Sequence, residues 1–272
     1  GGTFERNKSF AGAAPNAAGI QLGDWDGDGD LDLASMHTNP GQIVIYTNTG
    51  NATFSQTATF ASGSHAGDSV LVDLHGDGDL DIAVTNVFSN RIHILVNDGT
   101  GTFTTSASTG PGTSPGAGNE PQGLSTADFN GDGIPDFATA NRNTNSVSVF
   151  LGTGDADVSF TTRTYSVGQN PRYTAAGDLD HDGLPDLAVT NRNSGTVSVL
   201  LNDGQGGFLP SESLPGSNTT HVLHSLVILD ADSDGRLDLV TSKPSWISDP
   251  GMTVNKIELF LNRQGTHQVA VT

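Results

Sequence analysis

Short apolar runs with a period of two alternate along the chain with polar turns rich in glycine, asparagine and serine. The clearest alternating runs are QIVIYTN, RIHILVN, SVSVFLG, TVSVLLN and KIELFLN. Such alternation places apolar side chains on one face of a β-strand. We find no segment with the 3.6-residue apolar spacing of an amphipathic helix. The pattern therefore predicts an all-β protein built from short strands.

These runs belong to a unit that recurs about every 50 residues. Each unit has a segment of small and apolar residues, an acidic loop, an apolar run, the alternating run and a more polar fourth run. Four short strands in a unit of this length are typical of one β-propeller blade, whereas solenoid repeats of this length are helical. The 272 residues accommodate five units. We predict one domain over residues 1–272, a β-propeller of about five four-stranded blades.

The N-terminal residues resemble the start of a fourth strand, because Gly2-Thr3-Phe4 matches Gly101-Thr102-Phe103. We therefore predict that residues 3–10 complete the last blade by pairing beside residues 256–262. The tail at residues 267–272 could compete for the same edge. An unpaired strand edge is a template for association with another molecule.

Each unit carries an acidic loop with aspartate at positions 1, 5 and 9. The loops span residues 24–32, 73–81, 128–136, 178–186 and 230–238. Oxygen ligands that converge from alternate positions are what Ca²⁺ requires, and loop glycines allow the tight turn. An EF-hand is excluded because position 12 is not glutamate and strand-like residues follow position 9. We predict β-hairpin calcium loops with side-chain ligands at positions 1, 3, 5 and 9 and a backbone carbonyl near position 7.

The predicted ligands, about one Ca²⁺ per repeat and up to five in all, divide by loop. They are Asp24, Asp26, Asp28, Asp30 and Asp32; Asp73, Asp77, Asp79 and Asp81; Asp128, Asn130, Asp132, Ile134 and Asp136; Asp178, Asp180, Asp182, Leu184 and Asp186; and Asp230, Asp232, Asp234, Arg236 and Asp238. His75 takes position 3 of the second loop. Imidazole is a poor ligand for a hard ion, so we expect this loop to bind most weakly.

Two alternatives compete with calcium. Asp-Gly clusters also occur in ordinary turns, but turn chemistry does not require aspartate at positions 1, 5 and 9 every time. Mg²⁺ fits less well because it prefers few protein ligands and retains water. His181 and Ser233 replace the position-4 glycine, which outward-pointing side chains can tolerate.

The formal net charge is −19, with only 11 lysines and arginines that form no patch in the sequence. We therefore expect no binding to nucleic acid or to anionic membrane surfaces. The sequence contains no apolar stretch of 18 residues, so we expect no membrane insertion. The chain has no cysteine, so disulfides give no information on the redox compartment. Calcium loops of modest rigidity suit millimolar Ca²⁺. We expect an extracellular or cell-surface location.

The segments DGDGDLDLA, NGDGIPDFA and HDGLPDLAV each lead into an apolar strand. They resemble the FG-GAP and VCBS repeats, which are the calcium-loop blades of integrin α-subunit propellers and of many secreted microbial proteins. The resemblance covers nearly the whole chain. It implies a propeller with Ca²⁺ at the blade loops and a role in adhesion, carbohydrate binding or scaffolding. The well-known propellers of the family have seven blades, which leaves closure of a five-unit ring open.

No catalytic constellation emerges from the sequence. The segment GTSPG at residues 112–116 matches the nucleophile-elbow pattern, but Pro115 has no N–H for an oxyanion hole. His221 and His224 have a spacing that places them on opposite faces of a strand. The metal loops account for nearly all carboxylate pairs. We expect no enzymatic activity.

Candidate ligand-binding residues come from three patterns. The inner strands of a propeller line its central channel. The residues six positions before each first aspartate lie on these predicted strands; they are Ala18, Gly67, Gln122, Arg172 and His224. The last three are polar and are candidates for contact with a ligand. Asn-Arg-Asn follows the second strand of units three and four and contributes Arg142 and Arg192. Exposed aromatic rings stack on sugars, which makes Trp246, and less so Trp25 and Tyr173, candidates. The plain alternatives are a solvated channel rim, turn caps and a tryptophan packed under its loop.

The leading hypothesis is a secreted, calcium-stabilised, non-catalytic binding module for a glycan or an extracellular protein. The first alternative is a structural subunit of an extracellular fibre or surface layer, assembled by terminal-strand exchange. The second is a non-catalytic propeller domain of a larger extracellular enzyme.

Overall fold

A computed structural model describes residues 15–63, 65–105, 120–154, 159–216, 223–243 and 256–263. These residues form five antiparallel sheets, numbered here in chain order. The predicted strand at residues 3–10, the tail at residues 267–272 and Trp246 lie outside the described residues. In the described part of the chain, no helix is long and apolar enough to span a membrane.

Each sheet is a meander in which consecutive strands pair. Sheet 1 contains β1 (Ala17–Gly23), β2 (Asp32–Thr38), β3 (Gly41–Asn48) and β4 (Phe54–Ala61). Sheet 2 contains β5 (Ala66–Val72), β6 (Asp81–Asn86), β7 (Arg91–Asn97) and β8 (Phe103–Thr105). Sheet 3 contains β9 (Pro121–Ala127), β10 (Asp136–Asn141), β11 (Ser146–Gly152) and β12 (Phe160–Ser166). Sheet 4 contains β13 (Pro171–Gly177), β14 (Asp186–Asn191), β15 (Thr196–Leu200) and β16 (Glu212–Pro215). Sheet 5 contains β17 (Leu226–Leu229), β18 (Asp238–Lys243) and β19 (Lys256–Phe260).

The two middle strands are the most buried elements of each four-stranded sheet. Every residue of β6, β10 and β14 is buried, although their sequences DIAVTN, DFATAN and DLAVTN include polar side chains. Strands buried on both faces are expected where sheets pack face to face on both sides. The outermost strands β4 and β12 are mostly exposed and carry mainly threonine, serine and glutamine besides aromatic residues.

The hydrophobic core lies between successive sheets. Four buried clusters join sheet 1 to sheet 2, sheet 2 to sheet 3, sheet 3 to sheet 4 and sheet 4 to sheet 5. Within the described ranges, no such cluster joins sheet 5 back to sheet 1. Four apolar side chains on the first strands of the two terminal sheets are exposed: Ile20, Leu22, Val227 and Leu229.

The first strands β1, β5, β9, β13 and β17 lie beside one another along one edge of the stack. The approach is closest between β9 and β13, where a Cβ added at Gly123 would lie 2.7 Å from the carbonyl oxygen of Arg172. This is the arrangement of inner strands expected for a propeller. All-β architecture, four-stranded units and the first strands predicted from sequence are confirmed, while the fourth strand of sheet 5 lies outside the described residues.

Candidate functional site

The five acidic loops lie at one end of the stack, because each connects the first strand of a sheet to the second. The backbone turns through the left-handed region at positions 4 and 6, for example at Gly27 (φ 73°) and Gly29 (φ 90°). His181 (φ 66°) and Ser233 (φ 62°) adopt the same conformation at position 4. Side chains are therefore tolerated there, at a backbone cost of about 1 kcal/mol each.

The carboxylate of the position-1 aspartate accepts hydrogen bonds from backbone N–H groups of its own loop. In the first loop, Oδ1 of Asp24 accepts the N–H of Gly27 (2.9 Å) and Oδ2 accepts that of Gly29 (3.0 Å). The corresponding carboxylates of the other loops also accept loop N–H groups. Position 5 adds a further bond, as in the 2.8 Å bond from the N–H of Asp30 to Oδ1 of Asp28.

The aspartate at position 9 is buried beneath each loop. Oδ2 of Asp136 accepts the N–H of Phe129, and its Oδ1 accepts the N–H of Gly152, both at 2.8 Å. The same pair of bonds, one from position 2 and one from the end of the third strand, holds the other four position-9 carboxylates. These carboxylates are 0–1% exposed, so the sheet itself fixes one predicted ligand of every loop.

Burial also perturbs the ionisation of these carboxyl groups. It raises the pKa of Asp136 to about 6, against the lowering effect of the two N–H bonds, and the charges of Asp132 and Asp128 raise the pKa further. Burial raises the pKa of Asp32, Asp81 and Asp186 in the same way. A cation bound among the carboxylates would favour their ionised form and oppose this effect.

Three loops bring carboxylates together at spacings that suit a metal ion. Oxygens of the triads Asp24–Asp26–Asp32, Asp178–Asp180–Asp186 and Asp230–Asp232–Asp234 each lie within 4.8 Å of one another. A Ca²⁺–oxygen distance of about 2.4 Å would separate ligands on opposite sides of one ion by about 4.8 Å. The donor set of hard oxygens and its spacing therefore fit calcium. Positions 1, 3 and 9 or 1, 3 and 5 supply these oxygens, and their role as calcium ligands stays a prediction.

The second and third loops differ at position 3. In the second loop, Nδ1 of His75 lies 3.5 Å from Oδ2 of Asp81, so the imidazole occupies the side of the loop that a ligand would use. In the third loop, Oδ1 of Asn130 accepts the N–H of Asp132 (3.0 Å) and its Nδ2 donates to Oδ2 of Asp132 (2.8 Å). Asn130 thus keeps an oxygen inside the loop, whereas the second loop pairs its buried carboxylate with a side chain of the protein.

The position-7 residues show their N–H groups engaged within the loop. The N–H of Ile134 and that of Leu184 each donate to the position-5 carboxylate at 2.8 Å, and that of Arg236 does so at 2.9 Å. The guanidinium of Arg236 also lies 3.4 Å from Oδ2 of Asp234. Metal ligation by the carbonyl oxygens at this position, including those of Asp30 and Asp79, stays a prediction.

A basic cluster forms at the opposite end of the stack. Arg172 is the second residue of β13, and Arg142 and Arg192 follow the ends of β10 and β14. Burial lowers the pKa of Arg192, and the charges of Arg172 and Arg142 lower it further. Burial likewise lowers the pKa of His224, with contributions from Arg172 and Arg192. The expectation that lysines and arginines form no patch is wrong for these three arginines, which tertiary structure brings together from distant positions.

The basic cluster is half-buried and incompletely paired. The Nε atoms of Arg142, Arg172 and Arg192 are buried and have no hydrogen-bond partner within the described residues. Glu120 binds the Nη1 group of Arg142 at 3.0 Å. The rings of Tyr173 and His224 lie 5.2 Å apart.

The remaining predicted ligand residues lie in different surroundings. Nε2 of Gln122 lies 3.4 Å from the carbonyl oxygen of Glu120, beside the basic cluster. His224 precedes β17 rather than lying within an inner strand, because that strand begins at Leu226.

Trp25 was expected to be a weaker sugar-stacking candidate, and this is wrong. It is 1% exposed and packs edge-on against Phe103 at 5.8 Å, because position 2 of a loop faces the core.

Sequence reasoning missed three residues at the basic end. Glu120 pairs with Arg142, the buried Oδ1 of Asn170 has no hydrogen-bond partner among the described residues, and Phe88 is 62% exposed. The repeat itself indicates where Phe88 lies, because it follows β6 at the position that Asn143 and Asn193 occupy after β10 and β14. Positive φ angles at Glu120 and Asn170 mark the same turn in successive sheets.

The chain matches the FG-GAP-like repeat over residues 24–84, 73–139, 128–189 and 178–241. These matches cover most of its length, and the protein belongs to the FG-GAP repeat family. Its repeated sheets and acidic loops are thus those of an FG-GAP-like repeat protein. No curated protein sequence matches the chain.

Solved structures support a propeller-like fold. An Agrocybe aegerita lectin, described as recognising non-reducing terminal N-acetylglucosamine, is 20% identical with a TM-score of 0.58, and the match covers 89% of this chain and 66% of that one. A Lactobacillus plantarum protein is 14% identical with a TM-score of 0.58, covering 89% and 67%. The V. cholerae biofilm matrix protein Bap1 is 17% identical with a TM-score of 0.56, covering 94% and 38%. The chain thus spans about two thirds of the length of the first two.

Proposed function

We propose that this protein is a secreted, calcium-stabilised, five-bladed β-propeller that acts as a non-catalytic binding module, with a glycan as its ligand. The observation that carries the calcium assignment is the convergence of carboxylates in the first, fourth and fifth loops, together with the buried, doubly hydrogen-bonded aspartate beneath each of the five loops. Without a cation, these carboxylates repel one another and one of them is desolvated. The ions would be structural because each holds the connection between the first two strands of a blade.

Calcium binding is tested by thermal unfolding and calorimetric titration. A site whose free Ca²⁺ is 100 times its Kd stabilises the native state by about 2.7 kcal/mol. For a domain of this size, each kcal/mol shifts Tm by about 2–4 °C. With several sites, removal of Ca²⁺ by EGTA should lower Tm by about 10 °C or more, whereas equimolar Mg²⁺ should restore little of it. An unchanged Tm would contradict the calcium assignment.

Glycan binding is supported by the fold and by the end of the stack opposite the acidic loops. The similar lectin from Agrocybe aegerita recognises a sugar. The basic end offers half-buried arginines, the Gln122 amide, and the rings of Tyr173 and His224. Within the described residues, the metal-competent acidic groups belong to the loops, which favours binding over catalysis. Secretion is supported by the millimolar Ca²⁺ that such loops suit.

A glycan array probed with the folded protein in 1 mM Ca²⁺, and again in EGTA, tests this function. Reproducible binding that disappears in EGTA together with the folded state is the expected result. A blank array with protein that unfolds cooperatively would count against glycan binding and shift the assignment to a protein ligand.

Self-assembly into an extracellular fibre or layer is a second candidate, favoured by exposed apolar edges. Ile257 on β19 is 74% exposed, and Ile20, Leu22, Val227 and Leu229 are exposed on the terminal sheets. One similar structure is that of a biofilm matrix protein. Light scattering should then show concentration-dependent polymers that shorten when residues 1–10 are deleted or when Ile20→Thr and Val227→Thr are combined. A monomer at all concentrations would exclude this function.

A further inference from the structure

We propose that Arg142, Arg172 and Arg192 form a binding site for the carboxylate group of an acidic sugar. The proposal rests on the proposed function as a glycan-binding module and names the chemical class of its ligand.

Topology brings the three arginines together. Arg142 and Arg192 occupy equivalent places, each one residue after the second strand of sheets 3 and 4. Arg172 is the second residue of the first strand of sheet 4, which lies against that of sheet 3. The backbone N–H of Arg142 donates to the carbonyl of Glu120 and that of Arg192 donates to the carbonyl of Asn170. The arginine backbones are thereby fixed to the turns that precede β9 and β13.

The cluster has more donors than the protein satisfies. All three Nε atoms are buried without a hydrogen-bond partner among the described residues, and a buried unpaired donor is unfavourable. Only Arg142 has a carboxylate partner in the described part of the chain, Glu120 at 3.0 Å. Three like charges in a half-buried position also repel one another. An incoming anion would satisfy the donors and relieve the repulsion.

The acidic loops are too distant to neutralise the cluster. Strand β13 separates Arg172 from the fourth loop by most of its seven residues, which is roughly 20 Å at about 3.3 Å per residue. The Debye length at physiological ionic strength is about 8 Å. The cluster is therefore a local basic site on a protein of net charge −19. Such a site suits one anionic group better than a long polyanion, which the remaining surface would repel.

A carboxylate on a sugar fits the surrounding groups. Guanidinium groups bind carboxylates through paired, parallel hydrogen bonds. Glu120 beside Arg142 disfavours a dianion such as a phosphate monoester. The buried Oδ1 of Asn170 needs a donor, which a sugar hydroxyl can supply. The paired rings of Tyr173 and His224 offer an apolar surface for the face of a pyranose ring.

The test compares acidic and neutral sugars on matched arginine variants. Sialyllactose and a glucuronate tetrasaccharide are titrated into the protein in 1 mM Ca²⁺, beside lactose and the methyl esters of both acids. The variants are Arg172→Met and Arg192→Met. The control is Arg163→Met on the outer strand β12. Nη1 of Arg163 donates to the carbonyl of Gln205 at 3.3 Å.

The expected result is binding of at least one acid with about tenfold or greater loss for its ester, as charge-assisted hydrogen bonds disappear. Arg172→Met and Arg192→Met should show the same loss, and raising the salt concentration should weaken binding. Arg163→Met should bind like the original protein. Both cluster variants should keep the Tm and its dependence on Ca²⁺, because removing one of three like charges does not destabilise the fold.

The other outcomes separate this inference from the function on which it rests. Equal binding of lactose and sialyllactose, unaffected by the cluster variants, would overturn the carboxylate site while leaving a glycan-binding module. Failure of every glycan with folded protein would overturn both proposals. Binding of an acidic peptide that depends on Arg172 and Arg192, without binding of any sugar, would overturn the sugar assignment in favour of a protein ligand.

Discussion

At the scale of single residues, the position-9 aspartate links each acidic loop to the core. Its two oxygens accept one N–H from the loop and one from the end of the third strand, as Asp186 does with Leu179 and Asn202. The carboxylate therefore positions the loop even before a metal binds. Among the predicted side-chain ligands at positions 1, 3, 5 and 9, only position 3 varies, with aspartate, asparagine or histidine.

Replacement of the histidine at this position tests the ligand register. His75 pairs with Asp81 across 3.5 Å, and imidazole is a poor ligand for Ca²⁺. His75→Asp should add an oxygen ligand. Calorimetry should then show one site whose Ca²⁺ affinity rises about tenfold or more, while the affinities of the other sites stay unchanged. His65→Asp, outside any loop, is the matched control and should leave every site unaltered. If the second loop binds equally well before and after His75→Asp, position 3 is not a ligand.

An asparagine at the end of the third strand, or two residues beyond it, forms a hydrogen-bonded clasp between sheets. Nδ2 of Asn202 donates to the carbonyl of Phe129 in the preceding sheet at 2.8 Å and to that of Pro185 at 3.0 Å. Asn97 and Asn262 reach the preceding sheet in the same way. In sheet 3 the equivalent residue is Gly152, where an added Cβ would lie 2.7 Å from Ile134. That boundary consequently lacks the clasp.

Loss of one clasp should be measurable. Asn202→Ala removes hydrogen bonds from a buried site and should lower the free energy of unfolding by about 1–3 kcal/mol in urea denaturation with Ca²⁺ present. Asn193→Ala changes an exposed asparagine at the opposite end of the same sheet and should stay within about 0.5 kcal/mol of the original protein. Equal stabilities of the two variants would show that the clasp contributes nothing.

At the scale of elements, the first strands determine how closely successive sheets approach. Glycines occur where one strand meets the backbone of the next. A Cβ at Gly67 would lie 3.2 Å from the carbonyl oxygen of Gln122, and one at Gly123 would lie 2.7 Å from the Cα of Tyr173. Between sheets 1 and 2 the packing is looser, because a Cβ at Gly19 would meet only Met36, at 3.9 Å.

This difference gives a prediction with an internal control. Gly19 and Gly123 each stand five residues before the first aspartate of their loop. Gly123→Ala should force the strands apart and lower the free energy of unfolding by about 1–3 kcal/mol. Gly19→Ala should be neutral or stabilise by up to about 1 kcal/mol, since it restricts the unfolded chain. Thermal unfolding in Ca²⁺ compares them, and a Gly123→Ala protein as stable as Gly19→Ala would contradict the close approach.

At the scale of the whole molecule, the stack has an acidic end and a basic end. Acidic loops occupy one end of all five sheets, and the arginine cluster occupies the other end at sheets 3 and 4. The two faces that end the stack carry exposed Ile20 and Leu22 on one side and Val227 and Leu229 on the other. The proposed metal sites and the proposed ligand site therefore lie at separate ends, so each can be altered without the other.

The raised carboxyl pKa values predict how stability depends on pH. In metal-free protein, the pKa of Asp136 is about 6, above the unfolded value of about 3.9. Stability from this group is then fully present below about pH 4 and is lost as pH rises through 6, by roughly 2–3 kcal/mol. Bound Ca²⁺ requires the ionised form, so loaded protein should instead lose stability as pH falls through this range. Between pH 4 and pH 7, Tm should thus fall with rising pH in metal-free protein and rise in Ca²⁺-loaded protein. Slopes of equal sign would exclude Asp136 as a ligand.

Much of this architecture is predictable from local patterns. The strands follow from alternation with a period of two, and the units follow from the spacing of Asp24, Asp73, Asp128, Asp178 and Asp230. The converging carboxylates follow because the residues of one loop are near in sequence and a glycine turn brings them together. The first, fourth and fifth loops accordingly hold acidic triads where the pattern places them.

Other features depend on which strands become neighbours. Trp25 is buried because position 2 of its loop faces sheet 2, where Phe103 covers it. The carbonyl of Phe129 meets Asn202, 73 residues later, only through the contact of sheets 3 and 4. Arg142, Arg172 and Arg192 form one cluster because two strand ends and one strand start meet at the same end of the stack. Alternation and ligand spacing act within a few residues, whereas these contacts arise from the packing of sheets, and so they emerge only in the folded chain.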